Sequence, residues 1–339
     1  DGARYGGIAA HLGEALRLGC PVLPGLALST ELYQQFMRQG GLQGEIASIL
    51  DIMQPTTMIQ CQAVEWAIRS AFEVRQVPEL VSQVIAEAWQ AMGERPLAVR
   101  SSATNEDSPQ QSFVGQHATV LDVASAQEVV QAVLTCWQSL FSAKAIAYAQ
   151  RFGLDLQSSS MGILLQPMVT PSVQGALFTV DPVTGNADRF LLQIQQGPDA
   201  GLHVLDPYHR RPGERPFWSQ LRELGLLLDE QHLMYYALEW LIAQEDLYII
   251  RVRPVTGAPP YLPEAEVETI AGRGPLHLAL DPGLSPRAAC PHSWYQRSRA
   301  QPLRVARERY AHRLFSEDAG RAEYYLCGYL YTRRNPSPP

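Results

Sequence analysis

The chain has 339 residues, of which 46% are hydrophobic and 18% charged, with a formal net charge of −7. That length carries a soft expectation of two domains at about 150 residues each, with a core that needs no staples. The composition excludes a disordered chain, and the acidic balance without a long Lys/Arg run speaks against a nucleic-acid partner.

The N-terminal DGARYGGIAAHLGEAL has no basic head before an apolar core, so it does not read as a signal peptide. Pro78–Met92 carries apolar residues at helical spacing. A second helix follows Ser125, where Ser125 and Glu128 form a capping-box pattern and Val129, Val133, Trp137, Leu140 and Phe141 line one face. Strands are predicted at Leu97–Arg100, Ala118–Leu121, Gly162–Val169, Gly175–Val180 and Arg189–Ile194, with a closing pair near Ala237–Ile242 and Leu247–Arg253. The stretch Leu156 to Val180 is uncharged for 25 residues, but its Gln, Ser, Thr and Pro content rules out a membrane span. Helices and strands intermix without a clean βαβ alternation, which favours α+β.

The proline-rich Gly257–Pro263 reads as a linker. It divides a first region, 1–256, from a linker over 257–280 and a helical segment over 281–339. The tail YYLCGYLYT is too apolar to stand alone in water. Five scattered cysteines, Cys20, Cys61, Cys136, Cys290 and Cys327, form no C-x-x-C and suit a reducing, cytoplasmic setting.

Four clusters could carry chemistry. Gly6 and Gly7 open a helical pattern, where backbone N–H groups could meet an anion or the glycines could simply make a turn. Arg100 ends an apolar strand beside Ser101 and Ser102, ahead of a loop with Ser112, Gly115 and Gln116. It suits either a polyphosphate grip or a surface ion pair with Glu106 or Asp107. Gln166 lies in QPMV, and Thr179 precedes D-P-V-T-G (Asp181–Gly185), which alone is turn chemistry. Glu239 and the pair Arg251 and Arg253 fall on neighbouring strands of a hairpin. A three-residue loop, Gln244–Asp246, sets Glu239 opposite Arg251 on one face, whereas a two-residue loop sets them on opposite faces. A bare salt-bridge ladder there is worth under about 1 kcal/mol.

In this order the clusters resemble the nucleotide-binding domain of the phosphoenolpyruvate synthase and pyruvate phosphate dikinase family, which includes rifampicin phosphotransferases. The resemblance runs from Tyr5 to Thr256 through VRSSATNEDSPQQSFVGQ, SLFSAKAIAYAQR, LLQPMV, LFTVDPVTG and LEW…RVRPVT. It implies an ATP-grasp-like fold, two α+β subdomains clamping ATP and Mg2+, followed here by a partial helical segment. In full-length members the phosphoryl group passes to a histidine on a separate domain and then to a small acceptor. Carried over, Arg100 and Arg253 grip phosphate, and Ser112 to Gln116 close over the triphosphate. Gln166 and Thr179 belong to the nucleotide pocket, Gly7 to the first glycine cluster, and Glu239 to the magnesium side. Arg100, Arg253 and Glu239 are thereby the expected catalytic residues.

The departures are specific. Ile8 replaces the lysine of G-G-K, Ala237 replaces a carboxylate of D-I-E-W, and Arg251 stands where Q-A-R-P has glutamine. None of the eight histidines lies in a Gly-rich context, His292 being the nearest. The expectation is a truncated or split ATP-binding phosphotransferase module, or a short protein in its own right. Its partners are a nucleotide and either a small-molecule acceptor or a separate histidine-bearing domain or chain, with no membrane. A pseudoenzyme, acting as nucleotide sensor or scaffold, is the alternative.

Overall fold

The computed structural model describes residues 1–106, 117–197, 199–232, 234–256 and 258, with backbone alone for 277–278, 321–326 and 329–334. Two compact units divide the chain. The first comprises Asp1–Ala176, Ile194–Ala200 and Leu238–Thr256, and the second Leu177–Gln193, Gly201–Ala237 and Gly257–Pro339.

In chain order the elements begin with α1 (Gly2–Arg17), β1 (Leu26–Leu28), α2 (Thr30–Arg38), α3 (Leu42–Met53), α4 (Met58–Glu73) and α5 (Glu79–Ala91). Next come β2 (Leu97–Ala103), β3 (Thr119–Val123), α6 (Ala126–Gln138), α7 (Ala143–Phe152), β4 (Met161–Pro167) and β5 (Val173–Phe178). The rest are β6 (Phe190–Gln196), β7 (Gly201–Leu205), α8 (Pro216–His232), β8 (Tyr236–Ala243), β9 (Asp246–Pro254), β10 (His277–Leu278), β11 (Arg321–Leu326) and β12 (Tyr329–Arg334). This is a mixed α+β protein, as the sequence pattern predicts.

In the first unit a four-stranded antiparallel sheet runs in the order β1-β4-β2-β3. Central strands β2 and β4 are buried almost throughout, with Arg100, Ser101, Ser102 and Gln166 as polar positions among apolar ones. The helices supply the core beside that sheet, where Trp137 of α6 stacks with Phe36 of α2 at a centroid distance of 5.2 Å. Local signals set the helix starts. Ser125 Oγ accepts from the Glu128 N–H, while the Glu128 carboxylate accepts from Ala124 rather than from the cap residue itself. Thr57 and Gln60 make the complete reciprocal box at the start of α4, a second instance of the same signal. The apolar face read after Ser125 is buried at all five positions. Strands β1 and β7 are additions to the sequence reading; each is short and has little alternation.

The second unit contains β7, α8 and the turn that follows β5. Asp181 Oδ1 accepts from the Val183 and Thr184 N–H groups, and its carbonyl accepts from Gly185, whose φ of 74° is left-handed. D-P-V-T-G is therefore the turn its composition describes. Within the region expected to be helical, 281–339, the described residues 321–326 and 329–334 form antiparallel strands instead, Tyr324 pairing with Tyr331. Tyrosine and threonine favour a pleated backbone. The rest of that region, His292 included, lies outside the described residues. Among the described residues no helix is long and apolar enough to cross a membrane.

Candidate functional site

The geometry starts from β2 and β4. Ala98 is the register partner of Gln166, and Arg100 lies two residues further, so both polar side chains leave one face of the sheet. Arg100 Nη1 donates to Gln166 Oε1 at 3.3 Å and to the Ile250 carbonyl at 2.9 Å. Its Nη2 stands 3.5 Å from Glu239 Oε2, and its Nε is buried without a hydrogen-bond partner. Gln166 is buried and donates from its amide to the Leu23 carbonyl at 3.2 Å, which fixes the oxygen toward Arg100. Burial lowers the Arg100 pKa most; Glu239 opposes that shift and the Arg251 charge adds to it.

The β8–β9 hairpin brings the other charges. Its turn is two residues, Gln244 and Glu245, both at positive φ (52° and 73°), as a tight hairpin turn requires. This corrects the three-residue loop. In an unbulged ladder a two-residue turn sets Glu239 opposite Ile250, the residue whose carbonyl Arg100 also holds. Arg251 nevertheless reaches Glu239, Nη1 to Oε1 at 3.9 Å.

Arg251 has a closer partner. Its Nη2 donates to Glu106 Oε1 at 3.0 Å, and the two side chains are only 9% and 3% exposed. Glu106 Oε2 also accepts from the Ala103 N–H at the end of β2. The sequence reading leaves Arg100 either a polyphosphate grip or a surface ion pair with Glu106 or Asp107; in the structure Glu106 is the buried partner of Arg251. The signal is a carboxylate three residues past a buried strand, but only the fold shows which arginine it meets. Two guanidiniums (Arg100 and Arg251) and two carboxylates (Glu106 and Glu239) make the ion pairs of this cluster, and the half-buried Arg253 lies two residues on from Arg251 along β9. Of these groups Glu239 is the open one, with a side chain 37% exposed.

Other expected site residues fall elsewhere. Gly6 is the kink between two helical pieces joined in α1, so Gly7 opens the second piece, and the Ala9 N–H in its first turn is taken by Ser102 Oγ at 3.1 Å. Gly6 also packs closely on β2, where a Cβ would run into Ser102. Thr179 belongs to the second unit and its hydroxyl is spoken for: it donates to Asp229 Oδ1 at 2.6 Å and accepts from the Tyr236 N–H at 2.8 Å. Ser112, Gly115 and Gln116 lie outside the described residues. Cavities of about 740 and 340 Å³ occur in the helical part of the first unit, one beside Cys61 and Gln150, the other beside Tyr33 and Ser159. Neither is lined by the arginine cluster.

The resemblance implies a magnesium ion at Glu239, and the donor set does not fit one. Magnesium beside a nucleotide is ordinarily held by one or two carboxylates together with phosphate oxygens and waters, so the fit turns on whether a carboxylate oxygen is open to it. Both Glu239 oxygens already face guanidiniums, and Ala237, where a second carboxylate is expected, is a buried methyl. Among the described residues no group of three His, Cys, Asp or Glu side chains could hold a metal ion.

Fold and cluster together define an α+β protein that converges arginines from separate strands on one partly open carboxylate. Residues 3–202 match the family model described as pyruvate phosphate dikinase, AMP/ATP-binding domain, and the chain belongs to that family. It is 37% identical over 199 residues to a phosphoenolpyruvate synthase from Aeropyrum pernix, covering 56% of this chain and 24% of that protein. To a rifampicin phosphotransferase from a Streptomyces species it is 29% identical over 299 residues, covering 75% and 34%. To the rifampicin phosphotransferase of Bacillus subtilis it is 29% identical over 303 residues, covering 77% and 35%. The chain thus spans a quarter to about a third of the length of these relatives. Among solved structures it resembles a D-alanine–D-alanine ligase from Helicobacter pylori at 9% identity and a TM-score of 0.33, covering 74% of this chain and 50% of that one.

Proposed function

We propose that this chain binds the phosphate tail of ATP in an ATP-grasp-like domain, as the nucleotide-holding module of a phosphotransferase. Arg100 and Arg253 grip the phosphates, Gln166 orients Arg100, and Glu239 holds Arg100 and Arg251 apart on either side. The observation that supports this best is the convergence of guanidiniums from β2 and β9 on Glu239, where a planar fork can meet phosphate oxygens. Phosphoryl transfer of this kind needs mainly positioning and charge stabilisation. The acceptor in this reading is a histidine on a separate domain or chain, which then passes the group to a small molecule. The setting would be cytoplasmic, without nucleic acid or membrane partners.

A second reading is nucleotide binding without transfer. The buried Ile8 and Ala237 favour it, because each stands where the resembled motif carries a charge. Losing one charge-assisted contact costs about 1.5–3 kcal/mol. A thermal-shift titration with ATP tests the shared premise. At 100 times the dissociation constant a native-state ligand adds about 2.7 kcal/mol, a visible rise in Tm. No rise at saturating ATP rejects both readings. Formation of ADP or AMP by the chain when a histidine-bearing acceptor domain is supplied, measured chromatographically, separates them.

A further inference from the structure

Glu239 is the carboxylate on which the proposed nucleotide reading turns, and its surroundings are those of an anion already neutralised. Arg100 Nη2 lies 3.5 Å from one oxygen and Arg251 Nη1 lies 3.9 Å from the other. Both guanidiniums are held where they stand. Arg100 is anchored on the Ile250 carbonyl and on Gln166, and Arg251 is anchored on buried Glu106 at 3.0 Å. A divalent cation at Glu239 would sit a few ångströms from both. Two unit charges 4 Å apart repel by about 4 kcal/mol at an effective dielectric of 20, and a double charge doubles that. Arg251 also stands at the position where the resembled motif has glutamine, so a cation stands where an uncharged side chain is usual.

We infer that this cluster binds its nucleotide as the metal-free polyphosphate anion, Arg251 supplying at Glu239 the positive charge that a divalent cation would otherwise bring. Glu106 makes this possible. Its buried carboxylate pins the Arg251 guanidinium in place, so Arg251 is a fixed charge rather than a mobile side chain. The inference rests on the nucleotide reading above and adds to it the chemical form of the ligand.

The test is isothermal titration of the full chain with ATP, once in excess EDTA and once in excess magnesium chloride. The expected result is binding in EDTA at least as tight as in magnesium. Tightening by magnesium beyond about threefold overturns the inference and leaves nucleotide binding standing. Absence of heat and of thermal shift in both buffers overturns the nucleotide reading, and this inference with it. A paired variant, Glu106→Gln with Arg251→Gln, removes both charges together and so leaves no lone buried ion. It is expected to bind ATP about tenfold or more tighter with magnesium than with EDTA. If the folded double variant stays indifferent to magnesium, Arg251 is not what excludes the ion and the inference fails. Should that variant not fold, the two titrations of the natural chain decide the matter.

Discussion

Gly6 lies so close to Ser102 that a Cβ on it would fall 1.7 Å from the Ser102 carbonyl oxygen. The φ of Gly6 is 78°, and there α1 bends as it crosses the end of β2. The Ser102 hydroxyl then accepts the Ala9 N–H that the kink frees. Two features of one residue are used at once: no side chain, and access to left-handed backbone.

Gly6→Ala is therefore expected to destabilise the chain by about 3 kcal/mol or more, combining backbone strain with an overpacked contact. Gly13, in the same helix, has open space where its Cβ would stand. Gly13→Ala is expected to stabilise by about 0.5–1 kcal/mol. Urea denaturation of the two variants reads both signs.

Arg253→Gln is expected to weaken ATP binding about 10- to 100-fold, the loss of one charge-assisted contact. Arg100→Gln should weaken it by as much and also lower Tm, because the Ile250 carbonyl and Gln166 lose their shared donor. Calorimetric titration alongside thermal melts separates the two contributions. Unchanged affinity in both variants would remove the phosphate role.

The buried pair of Glu106 and Arg251 predicts an asymmetry in stability. Glu106→Ala takes away the closest carboxylate of the buried Arg251 guanidinium, leaving Glu239 at 3.9 Å, and should cost about 3–5 kcal/mol. Glu106→Met combined with Arg251→Met replaces both ions by apolar volume and should come out near neutral or more stable. Shifts of the denaturant midpoint give the comparison.

His117 gives a pH signature. Burial holds its imidazole pKa down at about 4; a contact with the Ser139 carbonyl opposes this and the Arg251 charge adds to it. The unfolded chain binds the proton from about pH 6.5 downward, whereas the folded chain refuses it until about pH 4. The stabilisation is thus complete above pH 6.5 and is lost as pH falls toward 4. Holding a proton off the buried ring across that window costs the folded chain about 3 kcal/mol in all. His117→Gln should flatten stability against pH over the same range, as denaturant melts at several pH values would show.

Much of the molecule is legible without coordinates where neighbours along the chain decide the outcome. The α6 cap at Ser125, the D-P-V-T-G turn and the buried face of Val129, Val133 and Trp137 all follow from short-range spacing. Strand ends are less legible, since a ladder stops where its partner stops: β2 runs on to Ala103, past the expected end at Arg100, because Met161 of β4 is there to pair with it. The hairpin loop is shorter than expected because Asp246, polar enough for a turn, is held in β9.

By itself the sequence determined which residue types were available for chemistry: arginines on two strands, one carboxylate in L-E-W, and a lysine and an acid replaced by Ile8 and Ala237. Only the tertiary structure decided the pairing of those charges. Glu106 and Arg251 are 145 residues apart in the chain, and no local preference relates them. What joins them is the burial of both in the first unit, where an unpaired ion would be too costly to persist. That same enclosure fixes Arg251 at Glu239, and so sets which cations the cluster can still admit.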